Sequence, residues 1–282
     1  MLGLHPSRYP ETRFASRAGK RAVSAQHTPR QNRLLAALPL TDYERLLPDL
    51  EPVPLPLGCV IHEAGNGEKY LYFLTAGIVS KSYRMENGAS AGFAVIGREG
   101  VIGVASYLGG EGTPSRAVVV SAGYAYRLAA DVLRIQFEHN RLLPHLLLRY
   151  AQALITQIAQ TAVCNRHHSL DQQLCGWILS CLDRLPSNEL TMAQGLIADA
   201  LGVRREGVTE AAGKLQKAGL IHYSRGHIDI LDRPRLEAQA CECYAVVKRE
   251  YDRLLANTGT PKSPLNTTPL PGSTRSRVEE ML

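Results

Sequence analysis

The hydrophobic period of this chain changes once, near residue 131, and that change restricts it to strands followed by helices. From about 51 to 130 the apolar stretches are short and broken by glycine: CVIHEAG, YLYFLTAGIVSKSYR, AGFAVIGREGVIGV, SRAVVVSAGYAYRL. Turn signals recur at Gly65–Gly67, Gly77, Asn87–Gly88, Gly97–Gly100 and Gly109–Gly112, roughly every ten residues, which predicts a small antiparallel barrel or jelly roll. Asn87-Gly88, between YRME and ASAGF, is the best hairpin signal.

Beyond 131 the period is helical. Leu143, Leu147, Tyr150, Leu154, Ile158 and Thr161 follow at steps of three or four, predicting one long helix over about 134–162, kinked near Pro144. A helix of about 30 residues reaches ~45 Å, more than a small barrel needs. The surplus length predicts a homodimer, with Leu147, Tyr150, Leu154 and Ile158 as its seam.

At 282 residues the chain has room for two modest domains. No apolar run is long enough to span a bilayer, and residues 1–30 lack the apolar core of a secretory signal, so no membrane partner is expected. Six cysteines (59, 164, 175, 181, 241 and 243) are too few for a disulfide scaffold, which suggests a reduced, cytoplasmic protein. The basic arm at 1–30 carries +5 of the formal net charge of +6, so global charge says little about partners. That arm and the Pro/Thr/Ser-rich stretch at 257–282 are expected to be disordered. Between them the expected divisions are a sensor barrel at 31–133, a dimerisation helix at 134–166 and a third domain at 167–256.

Within that third domain, LTMAQGLIADALGVRREGVTEAAGKLQKAGLI has a defined spacing. Thr191 and Gln194 read as a capping box that starts a helix. Ala198, Gly202 and Val208 fit a helix-turn-helix: a small residue at the crossing, glycine in the turn, a β-branched residue locking the second helix. That second helix would bury Val208, Ala211, Ala212 and Leu215, leaving Arg205, Glu206, Thr209 and Glu210 outward. GLIHYSRGHIDIL then reads as a strand–turn–strand wing around Arg225-Gly226.

Arg204 and Arg205 stand at the second helix's N-terminus, where the helix dipole mildly disfavours cations. A double-stranded DNA partner resolves the oddity, because that end of a recognition helix enters the major groove and meets phosphates and guanine edges. Lys214 and Arg225 complete the candidate DNA contacts.

With these residues the chain resembles the Crp/Fnr family of bacterial transcription regulators over roughly residues 33–235. The resemblance implies an α+β fold: an N-terminal antiparallel β-roll of the cyclic-nucleotide-binding type, a long dimerisation helix and a C-terminal winged helix-turn-helix. It implies a homodimer reading a palindromic operator, with RNA polymerase as a further partner. The family's Arg-Glu pair is matched by Arg205-Glu206, while Glu210 replaces a further arginine of the cyclic-AMP receptor.

The sensor half departs from the family. In IGVASYLGGEGTPSRAVV, Val104 follows Gly103 where the ribose-binding glutamate should stand, and Ser115-Arg116-Ala117 inverts the phosphate-binding order. Gly103, Val104, Ser115 and Arg116 are the candidate effector residues, for a small molecule other than cyclic AMP. An Fnr-type iron–sulfur cluster is not expected either, since the first cysteine is Cys59.

Cys164-x-x-His167-His168 and Cys241-x-Cys243 lack paired zinc-site spacing and read as separate helix positions, so neither a metal nor any other cofactor is predicted. His62-Glu63 has no second histidine two residues on. With no G-x-S-x-G, P-loop or G-x-G-x-x-G motif, no catalytic residues are predicted. The rival to a DNA-binding regulator is a small-molecule-binding module without DNA function.

Overall fold

The computed structural model describes residues 27–110, 112–139, 142–185 and 189–256. The tails expected at 1–30 and 257–282 lie outside these residues, apart from 27–30, where the His27 carbonyl accepts a 2.6 Å bond from the Tyr126 hydroxyl. Two short helices, α1 (Arg33–Ala36) and α2 (Leu40–Leu46), precede six strands. These are β1 (Glu51–Leu55), β2 (Val60–His62), β3 (Tyr70–Arg84), β4 (Ser90–Ile96), β5 (Val101–Ile102) and β6 (Arg116–Ala129). They pair antiparallel in the order β1-β6-β3-β4, with β2 also on β6 and β5 on β3.

The period of two decides how the roll is buried. On β3, Tyr72, Leu74 and Val79 point into the roll with Val53, Ile96 and Val119. Leu71 and Phe73 point the other way, into a second core beneath the flanking helices. The predicted hairpin at Asn87-Gly88 joins β3 to β4; Gly88 is left-handed, and the Asn87 side chain accepts from the Ala89 N–H at 3.0 Å.

The predicted helix is described as α3 (Ala130–His139) and α4 (Leu142–His167), with residues 140 and 141 outside the described residues. Then come α5 (Leu170–Leu182), β7 (Glu189–Thr191), α6 (Gln194–Leu201), α7 (Arg205–Lys217), β8 (Ile221–Ser224), β9 (His227–Ile230), α8 (Arg233–Gln239) and α9 (Glu242–Leu255). The strands of this half form a three-stranded sheet in the order β7-β9-β8. None of the described helices is long and apolar enough to cross a membrane.

The two halves share cores. Ile78, Val95 and Val120 from the roll pack into the core of α5–α8, while Tyr251, Leu254 and Leu255 of α9 return to the core beneath α4. Between the halves Arg184 donates to Glu99 at 2.8 Å, both almost fully buried, and the guanidinium lies 5.6 Å from the centre of the Tyr251 ring. The Tyr251 hydroxyl in turn donates to Gln157 of α4 at 2.8 Å. Beside this network the backbones of β4 and α6 touch: a Cβ on Gly92 would lie 2.4 Å from the Ala200 carbonyl oxygen.

Candidate nucleic-acid interface and sensor

Helices α6 and α7 form the helix-turn-helix. Gly202 takes a left-handed conformation (φ +67°) and ends α6, as the turn requires. Ala198 and Val208 are buried at the crossing, and Ala211, Ala212 and Leu215 complete the inner face of α7. The α6 N-terminus differs from the prediction. Thr191 lies in β7, pairs with His227 and bonds its ring at 3.1 Å, so it caps nothing; Ala193 is the N-cap. A capping box does occur, at Ser169 and Gln172, where α5 begins.

Arg204 is the N-cap of α7 and makes no side-chain bond to the helix, since a guanidinium has no acceptor for the free N–H groups there. Arg204, Arg205, Glu206, Thr209, Glu210 and Lys214 are all exposed on one end and face of α7. Gln194, which opens α6, holds two of them: its side-chain oxygen accepts from Arg205 Nε at 3.4 Å and from the Thr209 hydroxyl at 3.1 Å. Lys214 is held by the protein itself, 3.1 Å from Glu210 and 3.3 Å from Asp171, and the hydrogen bonds it donates to those carboxylates raise its pKa. Gln194 was read only as half of a capping box and Asp171 was not singled out, because their partners are distant along the chain. The wing turns at Arg225-Gly226, both at positive φ (+50° and +86°), the geometry of a two-residue type I′ hairpin.

The four predicted effector residues each have partners within the protein. Gly103 begins a short 3₁₀ turn, Val104–Ser106, and Val104 is buried in the core beneath the helices. Ser115 is buried and bonds Thr113 at 2.9 Å, while Arg116 donates to Glu63 at 3.0 Å. A cavity of about 450 Å³ opens instead against His62, Asn66, Glu68, Tyr70, Tyr72 and Ile102, among others. Glu68, 7% exposed, accepts at 2.8 Å from the Ala105 N–H, at the start of the 3₁₀ turn. Its other oxygen lies 3.7 Å from Lys81 Nζ and 3.5 Å from His62 Nδ1. Burial, reinforced by the Lys81 charge, pushes the His62 pKa down to about 4, so the ring is neutral at pH 7.

Two family models match in sequence order: a cyclic nucleotide-binding domain over residues 52–140 and a Crp-like helix-turn-helix domain over residues 172–239. The chain belongs to the Crp/Fnr family. It is a DNA-binding transcription regulator, and the family is one of regulators rather than enzymes. No curated protein matches this sequence. The fold is shared with FixK2 from Bradyrhizobium japonicum, at TM-score 0.61 and 16% identity over 68% of this chain and 98% of that one. It is shared with a Crp/Fnr-family transcriptional regulator from Eubacterium rectale, at 0.58 and 18% over 73% and 96%. It is shared also with the c-di-GMP-responsive global regulator CLP of Xanthomonas campestris, at 0.55 and 15% over 69% and 100%.

In this Crp/Fnr chain the long helix α4 faces two ways. Leu147, Tyr150 and Leu154, predicted as a dimer seam, are buried within the protomer, with the Tyr150 ring edge-on to Tyr251. Ile158 is partly open, and the exposed apolar residues are Leu148 (53%) and Ile155 (56%), with Val163 further along.

The fold also joins what the sequence kept apart. Cys164 and His168, one turn apart at the end of α4, meet Cys241 and Cys243 at the start of α9, with all four ligand atoms within 4.8 Å of one another. The reading of two unconnected helix positions fails because chain separation is no guide to contact once α9 folds back along α4.

Proposed function

We propose that the protein acts as a homodimer, reading a two-fold-symmetric operator with α7, and that its roll answers an effector other than cyclic AMP. One observation carries the reading: Arg204, Arg205 and Glu206 project unburied from an N-terminus that no side chain caps. Backbone N–H groups and the helix dipole there favour phosphate, arginine suits guanine O6/N7, and glutamate suits cytosine N4. A single winged helix makes too few base contacts to be specific in a genome, whereas two on a two-fold axis span half-sites about one helical turn apart. The exposed stripe Leu148, Ile155, Ile158 supports pairing through α4.

The sensor reading rests on Glu68. Its carboxylate already takes the Ala105 N–H, so an anion approaching that turn meets a like charge and an N–H already in use. Selection from a random duplex pool tests the DNA reading: a palindrome with half-sites ~10 bp apart supports it, and enrichment without two-fold symmetry overturns it. Calorimetry tests the sensor: micromolar cyclic-AMP affinity coupled to tighter operator binding overturns it.

A further inference from the structure

We propose that Cys164, His168, Cys241 and Cys243 form a tetrahedral site for one zinc-class ion that fastens α9 to the end of α4. Three sulfurs and one imidazole nitrogen face a common centre: Cys164 Sγ lies 3.5 Å from Cys241 Sγ, and Cys243 Sγ lies 3.4 Å from His168 Nδ1. With Zn–S near 2.3 Å and Zn–N near 2.0–2.1 Å, adjacent ligands of a tetrahedral ion stand about 3.5–3.8 Å apart. The four groups need only small movements to close on a metal. A polynuclear cluster would spread its ligands over the cluster's width, more than 4.8 Å allows. The donors are soft, which selects zinc over magnesium or calcium.

The surrounding groups fit the same role. His168 presents Nδ1 to the sulfurs while its Nε2 lies 3.4 Å from the Glu242 carboxylate, which orients the ring as an outer-shell carboxylate orients a ligating histidine. Gln160 donates from Nε2 to Cys243 Sγ at 3.2 Å. Cys241 is the N-cap of α9 and Cys243 lies in its first turn, so both sit where the helix dipole favours negative charge. Three thiolates around a dication leave one net negative charge, which the Gln160 N–H and the α9 dipole stabilise. Cys164, Cys241 and Cys243 also line a cavity of about 90 Å³ between the roll and α4, α5 and α9, which gives an ion a route in.

The placement has a mechanical meaning. One pair of ligands ends α4 and the other begins α9, so α5 to α8, with the whole winged helix, lie between them. A bound ion closes that segment into a loop anchored at both ends on α4.

The test uses the full-length, untagged, reduced protein titrated with cobalt(II). The expected result is one equivalent bound, a tetrahedral visible spectrum with thiolate charge-transfer bands, and displacement by zinc. Cys241→Ser and His168→Ala should abolish the tetrahedral spectrum. Glu242→Gln, on a side chain 73% exposed that leaves the fold intact, should weaken binding about 10- to 100-fold. A six-coordinate cobalt spectrum, or affinity unchanged in Cys241→Ser and Glu242→Gln, would overturn the site. So would oxidation to a Cys164–Cys241 disulfide in a chain that binds no cobalt when reduced.

Discussion

At the scale of single residues, the proposed DNA reading gives the two arginines of α7 different roles. Arg205 bonds Gln194 at 3.4 Å, and Arg205→Ala should weaken operator binding by ~1–3 kcal/mol and relax one base position. Arg204→Ala should weaken all sequences alike and lower the salt slope by ~0.9, one phosphate's share. Fluorescence anisotropy against matched and mutated duplexes, at several salt concentrations, distinguishes the two. In the roll, His62 makes stability depend on pH. Its folded pKa lies below its unfolded value, so the unfolded chain binds the extra proton and stability falls as pH drops from 6.5 toward about 4. The full loss is on the order of 3 kcal/mol, and urea melts of wild type and His62→Asn at pH 7 and pH 4.5 should show a smaller drop for the variant. The helix-turn-helix residues were legible in the sequence because Ala198, Gly202 and Val208 owe their roles to local spacing. Thr191 was misread because a strand pairing with β9 claimed it, and pairing partners leave no mark at short range. Glu68 and Lys81 were missed, and His62 was weighed only as a metal ligand, for the same reason, since the three meet only after the strands align.

At the scale of elements, α4 shows what a periodic pattern does and does not tell. Leu147, Tyr150 and Leu154 do share a face, as their spacing says, but periodicity cannot say whether that face meets the same chain or another copy. Here it meets the roll and α9, and the neighbouring stripe is left outside. The two stripes give opposite outcomes on charging. Ile155→Glu should leave a folded monomer that loses palindrome binding, because it places two like charges at the two-fold axis. Leu154→Glu should instead damage the fold itself, since even Leu→Ala in a core costs about 2–5 kcal/mol. Sedimentation together with circular dichroism separates them: a dimeric, tightly binding Ile155→Glu places the seam elsewhere.

At the scale of the molecule, the roll and the DNA-reading half are joined through buried contacts rather than a loose linker. Glu99→Ala would leave the Arg184 guanidinium buried without its carboxylate, at a cost of about 3–5 kcal/mol. Calorimetric melting should show the loss, and unchanged stability would mean that the pair is solvated in solution. The β4–α6 contact is of another kind. Gly92 meets Ala200 backbone to backbone, with no side chain between them to change rotamer and absorb a displacement. In mechanical language the joint has no backlash: a tilt of the β3–β4 hairpin must either carry α6 with it or prise the contact open. A methyl group at position 92 would act as a shim, holding the two halves apart.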